Sequence, residues 1–132
     1  NKKVFMVVLW ICPLVSLLVC NAIYVYNLGY QLNIGFLCGL LIGVLYLILG
    51  NFIPKIKANY SIGFRVPWAL CDSDNWYHTH RFGGKCMMVG GIVLIVTSPF
   101  QNVWILLVLS IIPCILPVIY SYLYYRKTIS RP

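Results

Sequence analysis

Ionisable side chains are scarce in this sequence, and acidic ones are almost missing. Charged residues make up 9% of the 132 residues, and two acids, Asp72 and Asp74, stand against ten Lys and Arg. A soluble domain carries roughly 25% charged residues. A water-soluble fold of this size cannot hide a chain that is 61% hydrophobic. The composition therefore argues against an ordinary soluble domain and predicts an integral membrane protein.

The long apolar runs also lack the residues that move protons or ions. Residues 4–53 and 86–125 contain no Asp, Glu, Lys, Arg or His. Such side chains usually mark proton relays and ion paths within membranes. Their absence argues against a pump or a proton-coupled transporter built by this chain alone, and it leaves the segment between the two regions as the place for any chemistry.

Four runs predict transmembrane helices in a single membrane domain, residues 1–132. A spanning helix needs about 20 apolar residues, because its backbone polar groups must bond within the segment. The predicted spans are residues 4–26, 34–53, 84–98 and 103–125. The third span is short unless its helix extends back into the preceding loop. In the fourth span, Pro113 and Pro117 predict a kink.

The first run resembles a secretory signal peptide, because Lys2 and Lys3 precede an apolar stretch. It is too long for the usual signal core, and no clear small-x-small cleavage site follows it. We therefore predict that it is retained as the first membrane helix.

The basic residues predict the orientation of the chain. All ten precede the first span, lie between the second and third spans or at the first positions of the third (Lys85), or follow the fourth, whereas residues 27–33 and 99–102 contain none. With four spans these segments share one side, which the positive-inside rule assigns to the cytoplasm. We expect a multi-pass membrane protein with both termini inside and with basic residues on anionic lipid headgroups.

Small residues predict where helices approach each other. Glycines recur at spacings of four and seven, which leaves strips of bare backbone that a second helix can contact closely. The candidate packing glycines are Gly35, Gly39 and Gly43 in the second span and Gly84 and Gly91 in the third, where Gly83 and Gly90 repeat the same spacing. Packing within one bundle is the favoured interpretation, and a homo-oligomer interface is the alternative.

The loop at residues 54–83 concentrates the polar and aromatic residues, including both His and both Asp. Pro54 ends the second helix, Gly63 permits a turn, and Pro67 biases the preceding residue towards an extended conformation. Asp72 or Ser73 is predicted to cap a short helix. On that helix Asp72, Trp76 and His80 would share a face, and His78 would point away.

Three interpretations of this loop are open. A metal site would draw on Cys71, Asp72, Asp74, His78 and His80, but the spacing matches no CxxC or HExxH pattern. An enzyme would use His80, with Arg65 as a phosphate clamp and Asp74 as base. The third is an interfacial platform, in which Trp68 and Trp76 lie at the level of the lipid headgroups. In this interpretation Arg65 and Arg81 bind either lipid phosphate or the carboxylates of Asp72 and Asp74. The chemistry favours the platform, so we predict no metal, no cofactor and no catalytic residue.

An ordered string within residues 50–85 adds a family resemblance. It reads Gly50-Asn51-Phe52-Ile53-Pro54-Lys55, then Lys57-Ala58-Asn59-Tyr60, Gly63-Phe64-Arg65, Pro67-Trp68, Trp76, Thr79-His80-Arg81 and Gly83-Gly84-Lys85. This string resembles the signature of the SdpI family of bacterial immunity membrane proteins. The resemblance marks these residues as motif or partner-binding candidates: Asn51, Pro54, Lys55, Asn59, Gly63, Arg65, Pro67, Trp68, Trp76, Thr79, His80 and Arg81.

The resemblance implies a multi-pass protein of the bacterial plasma membrane that protects the cell from a secreted toxic peptide. In the best-known member it also implies capture of a cytoplasmic repressor at the membrane, without direct contact with nucleic acid. Two features depart from the family. Longer members resemble six-span proteins, and Ala69-Leu70 stands where the family usually has Thr-Leu.

Three functional hypotheses follow from the residues and the resemblance together. In the first, the helices intercept the toxic peptide, while Arg65 and His80 pin the helices in place. In the second, Lys57, Arg65 and Arg81 form a docking surface for a cytoplasmic regulator. In the third, the chain is a membrane enzyme that acts on a phosphate-bearing lipid.

Overall fold

Long apolar helices dominate the chain. The computed structural model describes residues 2–100 and 102–130, and within them it contains helices and no strand. The helices are α1 (Lys2–Asn27), α2 (Ile34–Phe52), α3 (Pro67–Leu70), α4 (Ser73–Thr97) and α5 (Val103–Ile129), with short 3-10 turns at Ile53–Lys55 and Ser98–Phe100. In this part of the chain, α1, α2, α4 and α5 are long and apolar enough to cross a membrane. The all-helical class is therefore confirmed, and so is the prediction of four helices that are able to span a membrane.

Helix α4 is longer than the third predicted span. It begins at Ser73, eleven residues before the expected start at Gly84, and it runs without a break to Thr97. Asp72 caps it, because its Oδ1 accepts a hydrogen bond of 3.0 Å from the backbone N–H of Asp74. The cap is confirmed, but the expected short helix and the third span are one element. Much of the predicted 54–83 loop is thus helical, and residues 56–66 remain as its main irregular segment, here called the motif loop.

Helices α2 and α4 make a close contact through glycine. A Cβ on Gly43 would lie 2.9 Å from the carbonyl oxygen of Gly91, and a Cβ on Gly91 would lie 2.7 Å from that of Gly43. Near the end of α2, a Cβ on Gly50 would lie 2.8 Å from the carbonyl oxygen of Gly84. Side chains at these positions would push the helices apart, so glycine sets the distance between them.

The other glycines in α4 face different neighbours. Gly83 packs against the ring of Phe64 in the motif loop, and Gly90 packs against Pro113 of α5. The two pairs of glycines spaced seven residues apart therefore lie on two surfaces of α4. Gly84 and Gly91 face α2, whereas Gly83 and Gly90 face the motif loop and α5. Gly39, on α2, is buried and lies against the fully buried Ser98, whereas Gly35 is half-buried.

Contacts between helix ends bring the basic segments together. Val4, at the start of α1, joins a buried cluster with Ile53, at the end of α2. Asn75, at the start of α4, bonds to Ser121, near the end of α5. The starts of α1 and α4 and the ends of α2 and α5 therefore share one end, here called the basic end. It carries nine of the ten Lys and Arg, and Arg131 lies outside the described residues.

Helix α1 is attached to the rest mainly at its start. Val4 is the buried residue of α1, and no residue in 9–27 is buried. The helix also lacks glycine, so it has no strip of small residues that would let a neighbour approach closely. The expected four-helix bundle is therefore a packed unit of α2, α4 and α5 with α1 held at one end.

Candidate functional site

Two aromatic side chains form the centre of the basic end. Trp76 and His80 are one turn apart on α4, and their rings stack with centroids 3.9 Å apart and planes tilted by 20°. Their exposed fractions are 3% and 1%, whereas His78 is exposed. Residues four apart share a helix face, so the predicted pairing of Trp76 with His80 and the outward position of His78 are confirmed.

His80 is bonded through both ring nitrogens. Its Nε2 accepts a 3.0 Å hydrogen bond from the backbone N–H of Phe64, and its Nδ1 lies 2.9 Å from the carbonyl oxygen of Trp76. A carbonyl only accepts, so Nδ1 carries the hydrogen, and the imidazole is the neutral Nδ1–H tautomer. The ring therefore joins the motif loop to α4, and neither nitrogen is left to exchange a proton with a substrate.

Gly63 allows the motif loop to reach this ring. Its φ of +116° lies in a region that L side chains rarely adopt. A Cβ at this position would also collide with Nε2 of His80 and would lie 3.3 Å from the ring of Trp76. Glycine is thus required here for both the backbone conformation and the space.

Further bonds fix the rest of the motif loop. Trp76 Nε1 donates to the carbonyl oxygen of Ile56 at 2.9 Å, so this indole is buried in the core and does not face lipid headgroups, contrary to expectation. Asn59 Oδ1 accepts from the backbone N–H groups of Ser61 (2.8 Å) and Ile62 (2.7 Å). The loop is therefore held at both its start and its middle.

Trp68 connects helix α3 to the end of α5. Pro67 begins α3, and the preceding Val66 is extended as predicted, with φ −82° and ψ 141°. The indole of Trp68 packs edge-on against Tyr122, with centroids 5.6 Å apart, and lies 6.2 Å from Tyr125. Its Nε1 is buried and makes no hydrogen bond within the described residues. The Pro-Trp pair thus anchors the loop through ring contacts.

The cations of the motif lie at the surface and bond to nearby oxygen atoms. Arg65 Nη1 donates to the carbonyl oxygen of Tyr60 at 2.7 Å. Arg81 donates to the hydroxyl of Tyr77 and lies over that ring. Among the described residues these oxygens take the place of the expected carboxylates of Asp72 and Asp74. The two arginines keep further donors for an anionic partner.

At the end of α2, Lys55 follows Pro54, which lies inside the 3-10 turn that continues the helix. The Lys55 ammonium contacts Oδ1 of Asn51 at 3.4 Å and lies 5.5 Å from the ring centroid of Phe52. Asn51 and Lys55 are both exposed. Pro54 itself packs against Gly84, so this turn closes directly on α4.

An open groove exposes Arg65 to the surroundings of the basic end. It has a volume of ≈ 520 Å³, and we call it the Arg65 groove. Its lining consists of Tyr60, Gly63, Phe64, Arg65, Val66, Leu70 and Val118. Apolar walls beside one guanidinium suit an amphipathic ligand with an anionic group.

A buried polar network lies beside this centre, and sequence reasoning missed two of its members. The Oδ1 of Asn75 accepts from Thr79 Oγ1 and Ser121 Oγ, both at 2.9 Å, and its Nδ2 donates to the Ser121 carbonyl at 3.2 Å. All three residues are fully buried. Of these, only Thr79 was singled out from the sequence. A polar residue four positions before Thr79 was a usable signal for Asn75, but nothing local marked Ser121.

Replacing Asn75 with alanine is expected to destabilise the α4–α5 contact, because it leaves buried hydroxyl groups without their acceptor. The expected loss is about 1–3 kcal/mol of unfolding free energy, measured by denaturation of the purified chain in detergent. Asn21→Ala is the matched control, because the Asn21 amide is exposed and bonds to the carbonyl oxygen of Leu17 in its own helix. Equal stability of the two variants would contradict a role for the network.

The described residues offer no group of three or more His, Cys, Asp or Glu that could hold a metal ion. His80, which the metal hypothesis required, uses both nitrogens for internal bonds. The geometry therefore gives the metal interpretation no support.

Comparison with known proteins identifies the family. The family model described as the SdpI/YfhL protein family matches residues 55–121, just over half of the chain. The chain belongs to this family. The match begins at Lys55 and ends at Ser121, so it contains the stacked Trp76–His80 pair and the whole Asn75 network.

Among curated proteins, this SdpI-family chain is similar to the immunity protein SdpI of Bacillus subtilis (strain 168). The two are 34% identical over 125 residues, which cover 92% of this chain and 57% of that protein. The chain thus spans a little over half the length of this relative. No solved structure matches it. Family membership and four apolar helices make it a multi-pass bacterial membrane protein.

Proposed function

We propose that this chain provides immunity, protecting a bacterial cell against a secreted, membrane-active toxic peptide. The observation that carries the proposal is the 34% identity to a protein named for immunity, which extends over 92% of the chain. That extent includes the membrane helices and is not confined to the motif. Because the relative is longer, its activity is transferred here as a proposal.

In the proposed mechanism the basic end lies in the cytoplasm, with both termini inside, and the helices intercept the peptide within the bilayer. Support comes from α1, whose residues 9–27 leave an apolar surface unburied. The bonds of His80 and the α2–α4 glycine contacts keep the other helices rigid beside it. The role proposed for the motif is to hold this arrangement, without catalysis.

A second candidate is docking of a cytoplasmic regulator, such as a repressor, on the basic end. The exposure of Arg65 and Arg81 and the open Arg65 groove favour it. The enzyme hypothesis has less support, because both nitrogens of His80, its proposed acid or base, are occupied.

Survival of a toxin-sensitive bacterium that expresses the chain tests the proposal. The cells are challenged with a purified toxic peptide of this class, and both survival and membrane potential are recorded. The unmodified chain should keep the potential and raise the tolerated peptide concentration. Lack of protection by a correctly inserted, abundant chain would reject the immunity role.

Arg65→Ala, at equal membrane abundance, is expected to lower the tolerated concentration about tenfold or more, because a hydrogen bond from a charged group contributes about 1.5–3 kcal/mol. Arg126→Ala removes an exposed charge from the end of α5 and should leave protection unchanged. If both variants protect fully while binding of a cytoplasmic regulator is lost only in Arg65→Ala, the docking hypothesis replaces the proposed role of Arg65.

A further inference from the structure

An apolar cleft lies between the start of α1, the end of α2 and the motif loop. Its volume is ≈ 300 Å³, at the lower limit of the range typical of small-molecule sites. The walls that matter for the argument are Val4, Val8, Leu49, Phe52, Ile56 and Met87. We call it the α1–α2 cleft. Its wall surface is almost entirely apolar, so it suits a hydrocarbon chain and not a polar ligand.

A cationic mouth adjoins this cleft. A second hollow of ≈ 250 Å³ shares Val4 and Ile56 with the cleft and adds Lys2 and Asn59. Lys3 and Lys55 are exposed next to these walls in the sequence. Neither of the two acids lines either hollow. The mouth is therefore suited to a negative charge.

The cleft is also accessible from the side. Beyond Val4, α1 buries no residue along its described length, so the wall between α1 and α2 is not closed by tight packing. A lipid chain can enter there directly from the hydrocarbon layer. A secreted peptide reaches the membrane from the other side, if the basic end is cytoplasmic as proposed, and so meets this cleft last.

We propose that the α1–α2 cleft binds one acyl chain of an anionic phospholipid, with the phosphate held at the mouth beside Lys2. Basic pockets between membrane helices on the cytoplasmic side commonly take anionic headgroups. The bound chain fills the gap between α1 and α2 and attaches the start of α1 to the packed unit. This lipid site is independent of immunity and of the Arg65 groove.

Native mass spectrometry of the full chain tests the headgroup. The chain is released from micelles that contain phosphatidylglycerol or phosphatidylcholine with identical acyl chains. One phosphatidylglycerol should remain bound, and phosphatidylcholine should be retained less. Lys2→Gln should weaken phosphatidylglycerol binding about fivefold, whereas Lys127→Gln, at the end of α5, should not. Equal retention of both lipids, or equal effects of both variants, would overturn the proposal.

A second pair of variants tests the cleft itself. Val8→Trp places a large ring in the cleft and should abolish retention of the lipid, whereas Leu18→Trp, on an exposed part of α1, should leave it unchanged. Retention by Val8→Trp would overturn the proposal. If that variant instead loses only binding of the toxic peptide, the cleft belongs to the peptide and the lipid assignment is wrong.

Discussion

Replacing His80 with alanine is expected to abolish protection and to destabilise the chain more than other single changes at the basic end. The change removes the acceptor for the Phe64 N–H and the donor for the Trp76 carbonyl, and leaving a buried polar group unpaired costs about 1–3 kcal/mol. It also leaves a cavity beneath the stacked Trp76 ring, which adds to the loss. Thermal unfolding in detergent and membrane abundance in cells measure the effect.

His78→Ala is the matched control, two positions away on the same helix. The His78 ring is exposed and contacts Tyr124 at the surface, with centroids 5.3 Å apart. Its loss should change the unfolding free energy by less than about 0.5 kcal/mol and leave protection unchanged. Similar behaviour of the two variants would contradict the central position given to His80.

A third substitution separates a structural role of His80 from a catalytic one. Glutamine offers both a donor and an acceptor, so His80→Gln should recover part of the stability and protection that alanine loses. A general acid or base needs a group that exchanges protons near neutral pH, which an amide does not. Recovery of stability and protection with glutamine therefore supports a structural role of His80. A stable His80→Gln chain without activity would favour the enzyme hypothesis.

The sequence predicted the helices well because their signal is local. Apolar runs of sufficient length and ten basic residues confined to three segments define the spans, and the four spanning helices agree. The pairing of Trp76 and His80 was also predictable, because a spacing of four residues fixes a helix face. The His80 bond to Phe64 was not, since it joins residues sixteen apart through a loop whose path depends on Gly63.

The other differences between the sequence-based predictions and the structure arise from contacts between distant segments of the chain. The continuity of α4 from Ser73 through the third span was missed because Gly83 and Gly84 look like a boundary in the sequence, whereas in the fold they pack against Phe64 and Pro54. Ser121 was missed because its partner, Asn75, is 46 positions away. The loose attachment of α1 was missed because hydropathy reports affinity for lipid and not contact between helices.

Gly43→Leu is expected to separate α2 from α4 along their whole contact. A Cβ at Gly43 would already lie 2.6 Å from Cγ1 of Ile95 and 2.9 Å from the Gly91 carbonyl, and backbone on the opposite helix cannot rotate away as a side chain can. Overpacking costs typically about 1–3 kcal/mol, and here it would also disturb the contact of Gly50 with Gly84. We expect lower abundance, a lower unfolding temperature and lost protection.

Ser16→Leu is the control for the added bulk, because Ser16 is exposed on α1. This variant should insert into the membrane and unfold like the parent chain.

The same pair of variants decides between the two interpretations of the glycine strip, which are packing within one bundle and an interface between two copies. If the strip is an interface between two copies, Gly43→Leu should shift the oligomeric state in detergent and leave the unfolding temperature of the monomer unchanged. The reciprocal backbone contacts of Gly43 and Gly91 lie within one chain, so we expect the monomer itself to be destabilised.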